Sequence, residues 1–187
     1  MSNYINAIKM SNLYQGNQLE ELKYWLDNET PHSSGWNESP DGTHMVKLCE
    51  ELNTYHKVLT DKSRETFEIH NLLPTFATLS WYEAGVEKSP HTDTGPAQYT
   101  ILYNYFSEFP LKLTYGDDEI LLQNEEAVAY CGGDVNHSVE SVDGISIRLH
   151  FNFATPDNYY FILGNSTKNG FEFPSGRLEN EVEQNWL

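Results

Sequence analysis

The sequence predicts a mainly β, single-domain fold of the α+β kind, a jelly roll whose sheet is covered by two upstream helices. Three observations carry that expectation. Strand-like runs recur about every ten residues from Thr75 to Phe153. Turn signals such as Gly-Pro, Phe-Pro, Gly-Asp-Asp, Cys-Gly-Gly and Asp-Gly separate them. Upstream, two stretches repeat apolar residues at helical spacing. With 187 residues the chain has room for one full core and little more. Residues 1–73 read as helical support and loop, 74–155 as the β core, and 156–187 as a C-terminal extension.

In chain order, Leu19, Leu22, Trp25 and Leu26 mark one face of a helix over Asn17 to Glu29. Thr30 to Thr43 is rich in Pro, Gly, Ser and Asn and reads as a long surface loop, with Trp36 a candidate to cover a pocket. Val46, Cys49, Leu52, Tyr55 and Leu59 predict a second helix from His44 to about Thr60. Eight strands are then expected: Thr75 to Tyr82, Lys88 to Asp93, Tyr99 to Phe106, Leu111 to Tyr115, Glu119 to Leu122, Ala127 to Tyr130, His137 to Val142 and Ile145 to Phe153. Such a count with turns between suggests a jelly roll. Beyond Pro156, Tyr159 to Leu163 reads as a short element and Leu178 to Leu187 as an acidic helix or a frayed end.

Composition narrows the function. The 12 Tyr, 9 Phe and 4 Trp are residues that suit pleated surfaces. A formal net charge of -17, from 28 acidic and 11 basic residues, repels a phosphate backbone, so nucleic acid is not an expected partner. Cys49 and Cys131 are the only cysteines, too few for a disulfide framework. No apolar run approaches the ~18 residues of a membrane span. The expectation is a soluble cytoplasmic protein of unread oligomeric state.

The chemistry gathers between Ser89 and Phe153. Asp143-Gly144 between strand-like runs predicts a two-residue hairpin pairing Val142 with Ile145, which sets Val139 opposite Arg148 and His137 opposite His150. On that register His137, Val139, Ser141, Ser146, Arg148, His150 and Asn152 share one face, and Ile145, Ile147, Leu149, Phe151 and Phe153 the other. The apolar face needs helices over it; the polar face lines a mouth. His91 and Asp93, two apart on an extended segment, also point one way. Two imidazoles and a carboxylate on one side of a metal leave positions open, the facial-triad arrangement of non-haem Fe(II) oxygenases. Arg148, on the same face as His137, offers a planar fork suited to a carboxylate.

His91-x-Asp93, then His137, then Arg148 eleven residues on resembles the Fe(II)- and 2-oxoglutarate-dependent dioxygenases with a double-stranded β-helix, cupin-like core. The likeness spans about Thr75 to Phe153 and is nearest to the small prolyl-hydroxylase-like branch, where a strand such as Ile101-Leu102-Tyr103 follows the His-x-Asp. The resemblance implies that His91, Asp93 and His137 bind Fe(II) and that Arg148 binds the C5 carboxylate of 2-oxoglutarate, with O2 as the second co-substrate. Tyr103 is the candidate for a second bond to that carboxylate, or Asn104 if the strand parity is opposite. Tyr82, His150 and Trp36 are candidates for the substrate wall. The implied reaction is hydroxylation of a C–H bond on a protein or peptide residue, proline among them, or on a free amino acid or other small metabolite. The chain departs from the branch in having Leu111 to Tyr115 where a Gly-Gly-Glu-Thr type segment is usual, and His150 where relatives have a small residue. A cupin-like metal protein without 2-oxoglutarate, or a non-catalytic β-sandwich binding module, are the rival expectations.

Overall fold

A computed structural model describes residues 6–29, 31, 34–39, 43–48, 52–93, 97–141 and 143–157. The expected elements beyond Pro156 lie outside them, as does Cys49. Among the described residues there are eleven strands and two helices. They run β1 (Ile8–Met10), α1 (Asn17–Asp27), β2 (Asn37–Glu38), β3 (Met45–Leu48), α2 (Asn53–Phe67), β4 (Leu73–Tyr82), β5 (Lys88–His91) and β6 (Tyr99–Ser107). The chain continues with β7 (Leu111–Tyr115), β8 (Asp118–Leu122), β9 (Glu126–Tyr130), β10 (His137–Val139) and β11 (Ser146–Ala154). All eight predicted strands are present, near their predicted bounds.

The strands form a seven-stranded sheet, ordered β1-β9-β6-β11-β4-β3-β2, and a four-stranded sheet, ordered β5-β10-β7-β8. Every pairing is antiparallel. The larger sheet is covered on both faces, one wholly apolar and the other apolar only in part. Leu79, Ile101, Tyr103, Leu149, Phe151 and Phe153 turn one way and join Leu22 and Leu26 of α1 and Leu59 and Phe67 of α2 in one buried core. Burying such a side chain contributes roughly 1.5–3 kcal/mol, so this layer supplies much of the stability. Leu102 and Val128 turn the other way and meet Leu111, Leu113, Leu122 and Val139 in a second, smaller core between the sheets.

Both helices end where backbone chemistry requires. Asn28 closes α1, its Nδ2 donating to the Tyr24 carbonyl at 2.6 Å. Glu68 closes α2 in the left-handed region with φ of 56°, returning orphan N–H groups to the last carbonyls. His56 anchors α2 to the sheet through a 2.9 Å hydrogen bond to the Asn152 carbonyl.

Two sequence expectations fail here. The second helix spans Asn53–Phe67, not His44 to Thr60; the first part of that stretch is β3, paired with β4 from Met45↔Trp81 to Leu48↔Thr78. The apolar spacing of Val46 and Leu52 fits a helix equally well, and the open edge of β4 decides the outcome. The Asp143-Gly144 hairpin does not form. β10 pairs with β5 and β7, whereas β11 pairs with β4 and β6, so the chain crosses from one sheet to the other at this point. Asp-Gly supplied a turn but not its destination. The crossing is held by Glu108 N–H donating to Ile145 O at 3.2 Å, and a Cβ on Gly144 would collide with the Glu108 carboxylate.

Candidate active site

The space between the sheets is divided. One end is filled by the smaller apolar core, and the other holds a cavity of about 530 Å3. Arg148, His150 and Asn152 of β11, Thr78, Ser80 and Tyr82 of β4, and Thr100 of β6 line its floor, with His91, Asp93 and His137 opposite.

β5 and β10 bring the two histidines together, because His91 and His137 are register partners across an antiparallel pair. Their ring centroids lie 4.5 Å apart. Asp93 follows just past the end of β5, its N–H donating to Gly132 O at 2.8 Å. Its carboxylate reaches both imidazoles, Oδ1 at 3.6 Å from His91 Nε2 and Oδ2 at 3.5 Å from His137 Nε2. One ligand atom from each of the three residues lies within 4.8 Å of the others, so small side-chain rotations bring all three onto one cation with bonds of about 2 Å.

The tautomers are set for this. His91 Nδ1 lies 2.7 Å from the Ser89 carbonyl and His137 Nδ1 lies 3.1 Å from the Val135 carbonyl. Each Nδ1 therefore carries the proton and donates it, leaving Nε2 with its lone pair toward Asp93, as metal-binding histidines do. The Asp93 carboxylate, able to accept a hydrogen bond from Nε2 once the ring is protonated, raises the pKa of half-exposed His91, whereas burial lowers that of His137. Gly132 makes room for the carboxylate, since a Cβ there would strike it.

Arg148 is the charged group of the floor. It is 1% exposed, its Nε donates to Ser146 Oγ at 2.9 Å, and its Cζ lies 3.8 Å from the centre of the Tyr82 ring. Its Nη2 is buried and has no hydrogen-bond partner among the described residues. Burial holds its pKa below the usual arginine value, yet a guanidinium remains charged in any protein. A buried cation without a carboxylate is costly, so the donor set fits an anion received from the cavity.

His150 also lines the cavity, and its Nδ1 is buried without a partner among the described residues. Burial, reinforced by Arg148, pushes its pKa down to about 3, so the ring is neutral at ordinary pH. Tyr82 lines the floor.

Two candidates fall elsewhere. Tyr103 faces the helices, its ring 5.7 Å from that of Tyr14; β6 is buried on both faces, which leaves its parity unreadable from sequence. Asn104 has the opposite parity, but its Nδ2 donates to Ser107 Oγ and to the Leu122 and Gln123 carbonyls, and it does not line the cavity. Trp36 packs against the helix-side core because β2 joins the far edge of the larger sheet, and it does not line the cavity either. Sequence reasoning missed His44, Ser39 and Tyr130 on the cavity wall. Only the strand pattern of Met45 to Leu48 would have pointed to the first two.

This architecture has known counterparts. A prolyl-4-hydroxylase from Pseudomonas putida matches with a TM-score of 0.64 at 12% identity, over 82% of this chain and 94% of that one. The chain has the fold of the 2-oxoglutarate- and Fe(II)-dependent oxygenases. An oxidoreductase of the 2OG-Fe(II) oxygenase family from Burkholderia pseudomallei matches with a TM-score of 0.61 at 9% identity, over 79% and 84%. A prolyl hydroxylase from Trichoplax adhaerens, solved with a hypoxia inducible factor peptide, gives 0.61 at 11% identity, over 85% and 88%. No family model matches the sequence, and no curated protein does. Identities this low carry the double-stranded β-helix fold; the His-Asp-His group and Arg148 are read from this chain's own geometry. Among the described residues no helix is long and apolar enough to cross a membrane.

Proposed function

We propose that the chain is an Fe(II)- and 2-oxoglutarate-dependent oxygenase. The observation that carries the reading is one cavity with two complementary halves. Two imidazole nitrogens and a carboxylate converge on one wall, and a buried guanidinium with an unsatisfied Nη2 stands on the other. A molecule with a chelating end and a distal carboxylate satisfies both, and 2-oxoglutarate is such a molecule. A structural zinc site would want a fourth protein ligand, and a metal protein without this co-substrate would have no use for a buried cation.

His91, Asp93 and His137 would hold Fe(II), leaving positions open for the co-substrate and O2. When bound, the metal supplies O2 activation coupled to oxidative decarboxylation of 2-oxoglutarate, so that a substrate C–H is oxidised and succinate and CO2 leave. The residues of the chain bind and orient. Ser89 O and Val135 O fix the imidazoles through their Nδ1 protons. Arg148, braced by Ser146 and Tyr82, holds the distal carboxylate by a charge-assisted pair. His150, neutral and unsatisfied, faces the remaining space and offers the organic substrate a hydrogen bond.

The substrate class we favour is a residue of a peptide or protein, proline included, in line with the peptide bound by the Trichoplax structure. Anaerobic addition of Fe(II) and then 2-oxoglutarate should produce the weak visible charge-transfer band of the chelate. Bound iron without that band overturns the co-substrate; no iron binding overturns the site. Peptide and metabolite pools searched for a gain of one oxygen then separate peptide from small-molecule substrates.

A further inference from the structure

The Tyr82 ring carries a group on each face. Arg148 Cζ lies 3.8 Å from its centroid, and the His44 ring stacks on it at 4.3 Å with an interplanar angle of 14°. Two groups lying face-on at those distances cannot share a side, so Tyr82 is sandwiched between the guanidinium and the imidazole. His44 stands at the entry to β3, which borders β4 on the side away from β11.

Its placement there is determined by the local chain. Ser39 Oγ accepts the N–H groups of Thr43 and His44 at 3.1 and 3.2 Å, and Ser39 N–H donates to His44 O at 2.7 Å. Thr43 Oγ1 lies 3.0 Å from His44 Nδ1 and orients the ring. The strand behind it is registered on β4, with Met45 opposite Trp81 and Val46 opposite Ser80.

We propose that His44 is a positioning residue for the 2-oxoglutarate anchor: by backing Tyr82 it fixes the plane in which Arg148 presents its free donors. The inference rests on the oxygenase reading above. A long side chain gains from being held in one orientation before its ligand arrives, because less freedom is then lost on binding. Ser146 holds only Nε; the tilt of the fork is set by the ring it lies on, and that ring is kept from swinging away by His44. The β2–β3 extension would thereby tie the cavity mouth to the co-substrate anchor on its floor.

The test uses the Fe(II)-loaded protein under anaerobic conditions, titrated with 2-oxoglutarate and, separately, with pyruvate, an α-keto acid that has no distal carboxylate. His44→Ala should weaken 2-oxoglutarate by about three- to tenfold, the range of a stacked aromatic contact, and leave pyruvate and Fe(II) affinity unchanged. His44→Phe, which keeps a ring against Tyr82, should restore 2-oxoglutarate binding to within about twofold of the wild type. If His44→Ala does not fold, His44→Leu carries the same contrast. Unchanged 2-oxoglutarate affinity, or an equal loss for pyruvate, overturns the inference while the oxygenase reading stands. Iron binding in the wild type without any 2-oxoglutarate response overturns both.

Discussion

Gly132→Ala tests whether Asp93 belongs to a metal site. Gly132 does not adopt a left-handed conformation, so its backbone accepts alanine without strain. The added Cβ would nevertheless strike Asp93 Oδ2 and lie 2.9 Å from Asp93 Cγ and 3.1 Å from its Cβ. The main chain cannot retreat easily, since Asp93 N–H is bonded to Gly132 O at 2.8 Å. The side chain is 21% exposed, so it is free to rotate toward solvent, and apo stability should change by less than about 1 kcal/mol. Rotation removes the carboxylate from both imidazoles. Disturbing the support of a ligand commonly costs about 10–100-fold in metal affinity, or ~1.4–2.7 kcal/mol. Anaerobic calorimetric titration with Fe(II) reads this directly, with a melting curve as the control for folding. An unchanged affinity would show that Asp93 is not a ligand. The same loss appearing in an Asp93→Ala background would show that the glycine acts by another route.

Three further outcomes follow from the cavity. Arg148→Met should abolish the 2-oxoglutarate response while leaving the apo protein as stable as the wild type or more so, because a buried ion without a partner is replaced by apolar volume; thermal melting with and without ligand reads both. In the metal-loaded wild type, 2-oxoglutarate at about 100 times its Kd should add ~2.7 kcal/mol, roughly 5–10 °C in Tm, and it should add nothing to Arg148→Met. His150 is neutral in the folded chain down to about pH 3, with Arg148, His44, Lys88 and His137 facing it, whereas the unfolded chain takes up this proton near its ordinary value of 6.5. Between those values the unfolded state binds more protons, so stability is present above pH 6.5 and is lost as pH falls. His150→Leu should remove this component and shift acid unfolding of the apo protein to lower pH; an unchanged acid midpoint would refute the burial argument.

What the sequence could show depended on whether a strand had one face or two. β11 alternates cleanly, Leu149, Phe151 and Phe153 to the helices and Arg148, His150 and Asn152 to the cavity, so its polar face was legible from period alone. β6 has Tyr99, Ile101 and Tyr103 on one side and Thr100 and Leu102 on the other, all buried, and nothing in that run says which side is which. Period alone therefore allows Tyr103 on either layer, and it packs against the helices. His137 and Arg148 do face a common space, but across the sandwich rather than along a hairpin, since Asp-Gly dictates a turn and not the sheet in which the next strand pairs. His91 and Asp93 were readable because two residues of extended chain fix a shared direction. Ser39 and His44 were not, because their strand was hidden in a helical spacing.

The charge distribution bears on why the cavity is built as it is. The chain carries 28 acidic residues, so Arg148 does not lack a carboxylate for want of one. Among the described lining residues the only acid is Asp93, and it faces the two histidines. An aspartate in place of Ser80, whose register partner is Arg148, would pair with the guanidinium and relieve its desolvation, yet it would also occupy the position that an incoming anion needs. The stability of the fold comes from the two apolar cores, and the unsatisfied Nη2 of Arg148 and Nδ1 of His150 are tolerated between them. Introducing Ser80→Asp should therefore raise apo stability and weaken 2-oxoglutarate binding together. If the same substitution left 2-oxoglutarate binding intact, Arg148 would not be the anchor, and the cavity would have to be assigned to a ligand held by the metal wall alone.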